Sequence, residues 1–185
     1  MSKATYNKVS GFPGRHWLVY LYCLPTDIVA WLLVSILALI TGGAWFWRNG
    51  LWCSIPDSSW WCRSLANGYA GGTLGHGGWL RADVVGNGCI ATRTEFHEHI
   101  HVEQYEALML FVAMLNLGWL LFVCFTEGFA WNVLFFGLFV QTLGGMLGLC
   151  ASWITAWLRG SSVYRGSVHE EDAYSREKEF KCVRH

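Results

Sequence analysis

Charge is what this sequence has least of. Asp, Glu, Lys and Arg make up 14% of its 185 residues, against roughly 25% in an ordinary soluble domain. Hydrophobic residues reach 54%, so too little polar sequence remains to cover a soluble bundle. An excess of one sign is missing as well, since the formal net charge is zero. No tract sets Lys and Arg beside exposed aromatics as a phosphate-tracking groove needs, which excludes nucleic acid as a partner. The seven cysteines contain no CxxC pair, which argues against a structural zinc ribbon. Cys53 and Cys62 flank a short loop, CSIPDSSWWC, and could pair in an oxidising compartment. Cys23, Cys124 and Cys150 lie in or beside apolar runs, where cysteine packs as a small hydrophobe. There is no internal repeat and no low-complexity tract. No small-residue cleavage site follows the first apolar segment convincingly, so a cleaved signal peptide is not expected.

What the chain has instead is long apolar runs. A helix crosses a bilayer in about 20 residues, and three stretches are long enough: 28–47, 107–125 and 129–158. The last would measure about 45 Å as one straight helix, so it must tilt, kink or emerge, with Gly144-Gly145 the expected irregularity. Trp17, Trp45, Trp47, Trp131, Trp153 and Trp157 lie near the ends of these runs, as interfacial anchors do. Residues 16–24, closed by Pro25, are too short to span alone. They either lie in the interface or extend the first helix past a proline kink. The chain therefore reads as a single membrane domain over 1–185, mainly α, integral and multi-pass, with about three transmembrane helices. A glycine-rich segment (49–106) separates the first two spans, with WLRADVV a candidate short strand, and a polar tail (159–185) follows the third. Three spans put that segment and the tail on one side of the membrane. Arg48, Arg63, Arg159 and Arg165 on that side outnumber Lys8 and Arg15 opposite, which makes it the cytoplasmic face.

The stretch TEFHEHIHVEQYEALML carries the chemistry. His97 and His101 are four residues apart, so on a helix both imidazoles leave one face and can hold one metal ion, with Glu98 placed to act on a metal-bound water. No Gly or Pro interrupts residues 92–117, which favours the helix. His99 points away from the pair by helical phase. A catalytic zinc takes three protein ligands, and the tail offers HEEDAY. Glu170 is the preferred third ligand, with His169, Glu171 and Asp172 as rivals. Gln104 lies near the His97/His101 face and serves either to orient a ligand or to cap a polar layer at the bilayer surface.

HEHIH followed by Gln104, with a later ExxA from Glu170 to Ala173, resembles the gluzincin metallopeptidases, and in layout their membrane-embedded branch, which includes the CAAX-prenyl endopeptidases. TLGHGG ahead of HEHIHVEQYE also resembles small bacterial membrane proteins of this metallopeptidase type. The resemblance covers residues 70–106 and 164–176 at motif level. It implies a small zincin-like site at the membrane surface, one Zn2+ per chain, and a third ligand at the Glu opening ExxA, here Glu170. The family often has Asp where this chain has Tyr174, a departure at the position that supports the zinc histidines in the family.

That site implies a zinc-dependent hydrolase acting on a peptide or membrane-protein substrate. Zinc polarises the carbonyl and lowers the pKa of its water, and Glu98 is the general base. Candidate oxyanion or supporting groups are His76, Gln104, Tyr105, Tyr164 and Tyr174, and by analogy residues 79–85 could offer a strand edge to an extended substrate. Membrane lipid is the surrounding partner, within a larger assembly if the chain is a subunit. Two other functions fit parts of the pattern: a non-catalytic subunit or assembly factor with a structural metal, and a di-iron oxygenase, for which only one ligand box is evident.

Overall fold

A computed structural model describes residues 17–66, 69–85, 92–160 and 167–178. Helix α1 spans Trp17–Thr41 and runs through Pro25 without a break, so the short apolar segment is the first part of that helix. The expected run 28–47 is not one element. The helix stops at Gly42, whose φ is +68°, and the Gly43 N–H returns to the Ala38 carbonyl at 2.8 Å. That closure is a glycine C-cap. The aromatic residues beyond it form strand β1, Ala44–Trp47, as suits side chains of high β-propensity.

Within the glycine-rich segment, residues 51–81 contribute three strands of a sheet. Strands β2 (Leu51–Ile55), β3 (Gly71–Thr73) and β4 (Gly77–Arg81) join β1 in the order β1-β2-β4-β3. β2 pairs parallel with β4, while β1 and β3 pair antiparallel with their neighbours. The strand expected within 79–85 therefore ends at Arg81, and residues Ala82–Val84 form a 3-10 turn. β4 is paired on both sides, which removes residues 79–85 as a docking edge and leaves β3 and β1 at the edges. Both sheet faces are covered. Cys53, Ile55 and Cys62 pack with Val34 and Ala38 of α1, and Trp52 and Leu80 pack with Val102. Cys53 and Cys62 are free thiols, and burial pushes the Cys53 thiol up to about 12.

Val102 belongs to helix α2, which spans Arg93–Thr126 as 34 continuous residues. The HExxH segment and the apolar run 107–125 are thus one helix. Thr92 caps it by accepting from the Glu95 N–H at 3.2 Å, the half of a capping box that fixes the start. Helix α3, Trp131–Leu158, is helical throughout, so the expected irregularity at Gly144-Gly145 is absent. Gly144 serves close packing instead: a Cβ there would lie 2.9 Å from Val112 of α2. The short helix α4, Val168–Glu177, is capped by Ser167 and lies against α2. Tyr164 and Arg165 fall outside the described residues.

The molecule is mainly helical, and α1 and α2 are each long and apolar enough to cross a membrane. Their outward faces carry large apolar side chains, among them Leu32, Leu39, Phe111 and Phe122, each at least half exposed. Between the long helices Gln141 is a buried polar hub. Its amide donates to the Tyr22 and Met109 carbonyls at 3.0 and 3.1 Å and accepts from Asn116 at 2.9 Å.

Candidate metal centre

The first turns of α2 project the motif towards the sheet on one side and α4 on the other. His97 and His101, one turn apart, bring their Nε2 atoms to 3.1 Å. The Glu170 carboxylate of α4 faces both, with Oε2 at 3.4 Å from His97 Nε2 and Oε1 at 3.3 Å from His101 Nε2. Ala173, one turn on, is fully buried, and its small side chain suits close approach of α4. Ligand atoms around one tetrahedral ion at about 2.0–2.1 Å lie about 3.3–3.4 Å apart. The three donors therefore fit a single small cation. Among the described residues theirs is the one group of three ligating side chains that closes on a point.

The outer nitrogens explain why the inner ones point inward. His97 Nδ1 lies 2.9 Å from Glu177 Oε2, and His101 Nδ1 lies 2.9 Å from Gln104 Oε1. Both partners are acceptors, so each ring carries its proton on Nδ1 and turns the Nε2 lone pair to the common point. The Gln104 amide is itself fixed, because its NH2 donates to the His169 carbonyl at 2.9 Å and to Asp172 at 2.8 Å. Gln104 thus joins the His101 ring to α4. Arg93 pairs with Glu177, and Arg176 with Glu103, holding α4 on α2. Burial opposes the charged form of both histidines. The Glu170 carboxylate and the Glu98 charge, with Glu177 for His97 and Gln104 for His101, outweigh it and hold both above the ordinary imidazole value. A bound cation would occupy the same negative field.

Glu98 is buried beside this set and accepts a 2.5 Å hydrogen bond from the Thr73 hydroxyl of edge strand β3. Burial raises its pKa, against the pull of that hydrogen bond and of His101 and His97. His99 faces the other way, stacked on Trp52 with ring centroids 5.3 Å apart. Among the rivals for third ligand, Glu171 is exposed, Asp172 is engaged by Gln104, and His169 lines the adjoining cavity. His169 is held below its ordinary value by burial and by His101.

The proposed supporting groups divide. Tyr174 sets its ring 4.8 Å from that of His97. Tyr105 lines the cavity, but its hydroxyl donates to Asp27 Oδ1 and to the Cys23 carbonyl at 3.2 and 3.3 Å. His76 is not in the metal cluster. It is fully buried, with Nδ1 2.7 Å from Asp27 of α1 and Nε2 2.8 Å from Glu106 of α2. Burial opposes its charge, yet the two carboxylates raise its pKa, and a doubly donating imidazolium satisfies both. That network ties the β3–β4 turn to both long helices. Its members Asp27 and Glu106, like Glu177 and Thr73, carry no motif. For Glu177 a signal existed: it stands seven residues after Glu170, on the same face of a helix.

No family model, curated protein or solved structure matches this chain.

Proposed function

We propose that this chain is a multi-pass membrane zinc metallopeptidase that hydrolyses peptide bonds at the membrane surface. One observation carries the reading: two imidazoles, each with Nδ1 held by an acceptor, converge through Nε2 on a shared carboxylate, with a buried Glu beside them. His97, His101 and Glu170 would hold the ion, and nitrogen and oxygen donors at this spacing suit zinc. Lewis acidity towards a water and a scissile carbonyl is what zinc supplies there when bound. Glu98 holds the proton that water must lose and returns it to the leaving amine, while Thr73 fixes the carboxylate for both transfers. Glu177 and Gln104 keep the two imidazoles in register.

The membrane reading follows from length. Helix α2 is about 51 Å long at 1.5 Å per residue, and the hydrocarbon core is about 30 Å thick. The excess of about 21 Å equals roughly 14 residues, the polar stretch 93–106 that bears the motif. With α1, α2 and α3 as spans, the sheet, the motif and α4 share one face. Arg48, Arg63 and Arg159 mark it as cytoplasmic. The resemblance to membrane-embedded gluzincins points to the same arrangement, with Glu177 supplying from one turn later the carboxylate support that Tyr174 cannot.

The test is metal analysis of the purified, lipid-reconstituted chain. We expect one zinc per chain and its loss in His97→Ala, together with peptide hydrolysis that chelators stop. Two irons per chain would favour the oxygenase, and zinc without any hydrolysis the structural subunit. Absence of bound metal would sink the assignment.

A further inference from the structure

A cavity of about 450 Å³ adjoins the metal cluster, and its lining changes character along its length. Glu98, His101 and Glu170 line it, as do Leu108 of α2 and Cys150 of α3. Leu108 stands about 10 Å further along the α2 axis than His101, within the apolar run. Cys150 is exposed on α3, in the same stretch as the outward-facing Leu147 and Ile154. The cavity thus crosses from the polar layer of the site into the depth of the apolar helices and reaches their outer face.

The polar atoms at its deeper end are already committed. The Thr26 hydroxyl donates to the Gln141 and Thr142 carbonyls at 3.3 and 3.2 Å, and the Tyr105 hydroxyl to Asp27 and the Cys23 carbonyl. A polar side chain placed against Thr26 and Tyr105 would lose its hydration and find both hydroxyls engaged, a cost of several-fold to many-fold in affinity. An apolar one would gain by leaving water. The volume falls within the range of about 300–1,000 Å³ typical of ligand pockets.

We propose that this cavity is the specificity pocket of the enzyme: it seats a large apolar side chain next to the scissile bond of a membrane-inserted peptide segment, entering past Cys150. The inference rests on the metallopeptidase reading, so its test must separate the two.

Hydroxamates chelate zinc whatever group they carry. Acetohydroxamate, N-acetylphenylalanine hydroxamate and N-acetylasparagine hydroxamate are titrated against the zinc-loaded full chain in lipid nanodiscs. The phenylalanine probe should bind at least about tenfold more tightly than the asparagine probe and should slow maleimide modification of Cys150, read by mass spectrometry. Cys150→Trp should remove that advantage while keeping one zinc per chain and unchanged acetohydroxamate affinity. Equal binding of the two amino-acid probes, or a preference that survives Cys150→Trp with Cys150 unprotected in the native chain, overturns the pocket and leaves the metal site standing. Failure of acetohydroxamate itself to bind overturns the metallopeptidase reading, and the pocket with it.

Discussion

Glu177 Oε2 lies 2.9 Å from His97 Nδ1, although 80 positions separate the two residues. The contact joins the last turn of α4 to the second turn of α2 and sets which nitrogen of His97 faces the cluster. Outer acceptors of this kind typically contribute about 10–100-fold to metal affinity. Glu177→Ala should therefore weaken zinc binding by about that factor, with Glu177→Gln intermediate because its amide oxygen still accepts. Competition with a graded chelator series measures it. Unchanged affinity in Glu177→Ala would show that the contact orients nothing.

Glu98 and Glu170 are both buried carboxylates with different partners, Thr73 for the first and His97 with His101 for the second. Glu98→Gln should keep one zinc per chain and lower hydrolysis by about 10²–10⁴, the usual contribution of a general base. Loss of zinc in that variant would place Glu98 among the ligands.

Glu170→Ala should lose most of the metal, whereas Glu171→Ala, altered at an exposed position, should keep it. His169→Ala supplies the cross-check, since its ring lines the cavity and stands outside the three-donor group. Normal zinc in Glu170→Ala combined with loss in His169→Ala would replace the carboxylate with a third histidine.

Single cysteines at Asp57 and Ser175, in a chain cleared of its other thiols, should react with an impermeant reagent from one side of a sealed vesicle. One at Glu127, in the short turn between α2 and α3, should react from the other. Labelling of Asp57 and Ser175 positions from opposite faces contradicts three spans.

His76 should make stability depend on pH. Its folded pKa is raised by Asp27 and Glu106 against the opposing effect of burial, so its contribution is complete below the unfolded value of about 6.5. That contribution is lost as pH rises through the raised folded value. The Tm difference between the native chain and His76→Asn should accordingly shrink on the alkaline side. A difference that grows with pH would mean that His76 is neutral between its carboxylates.

The sequence by itself determined that three long apolar runs would be largely helical, because runs of about 20 residues leave little choice of element, but it misplaced the bounds of the first, whose end is strand β1. It also determined that His97 and His101 share a helix face, since a spacing of four is a local property of the α-helix. It pointed to Glu170, which the fold does bring to within 3.4 Å of both histidines. It misread residues 44–81, where glycines resemble loop chemistry. Gly77 shows why: a Cβ there would lie 2.1 Å from the Leu51 carbonyl oxygen, so the residue marks two strands in contact rather than a turn. The parallel β2–β4 pairing, the Asp27–His76–Glu106 network, Thr73 on Glu98 and Glu177 on His97 were decided only by tertiary structure. Each joins groups at least 25 positions apart. No local periodicity encodes such a contact, which exists only once α1, the sheet, α2 and α4 have packed around one point.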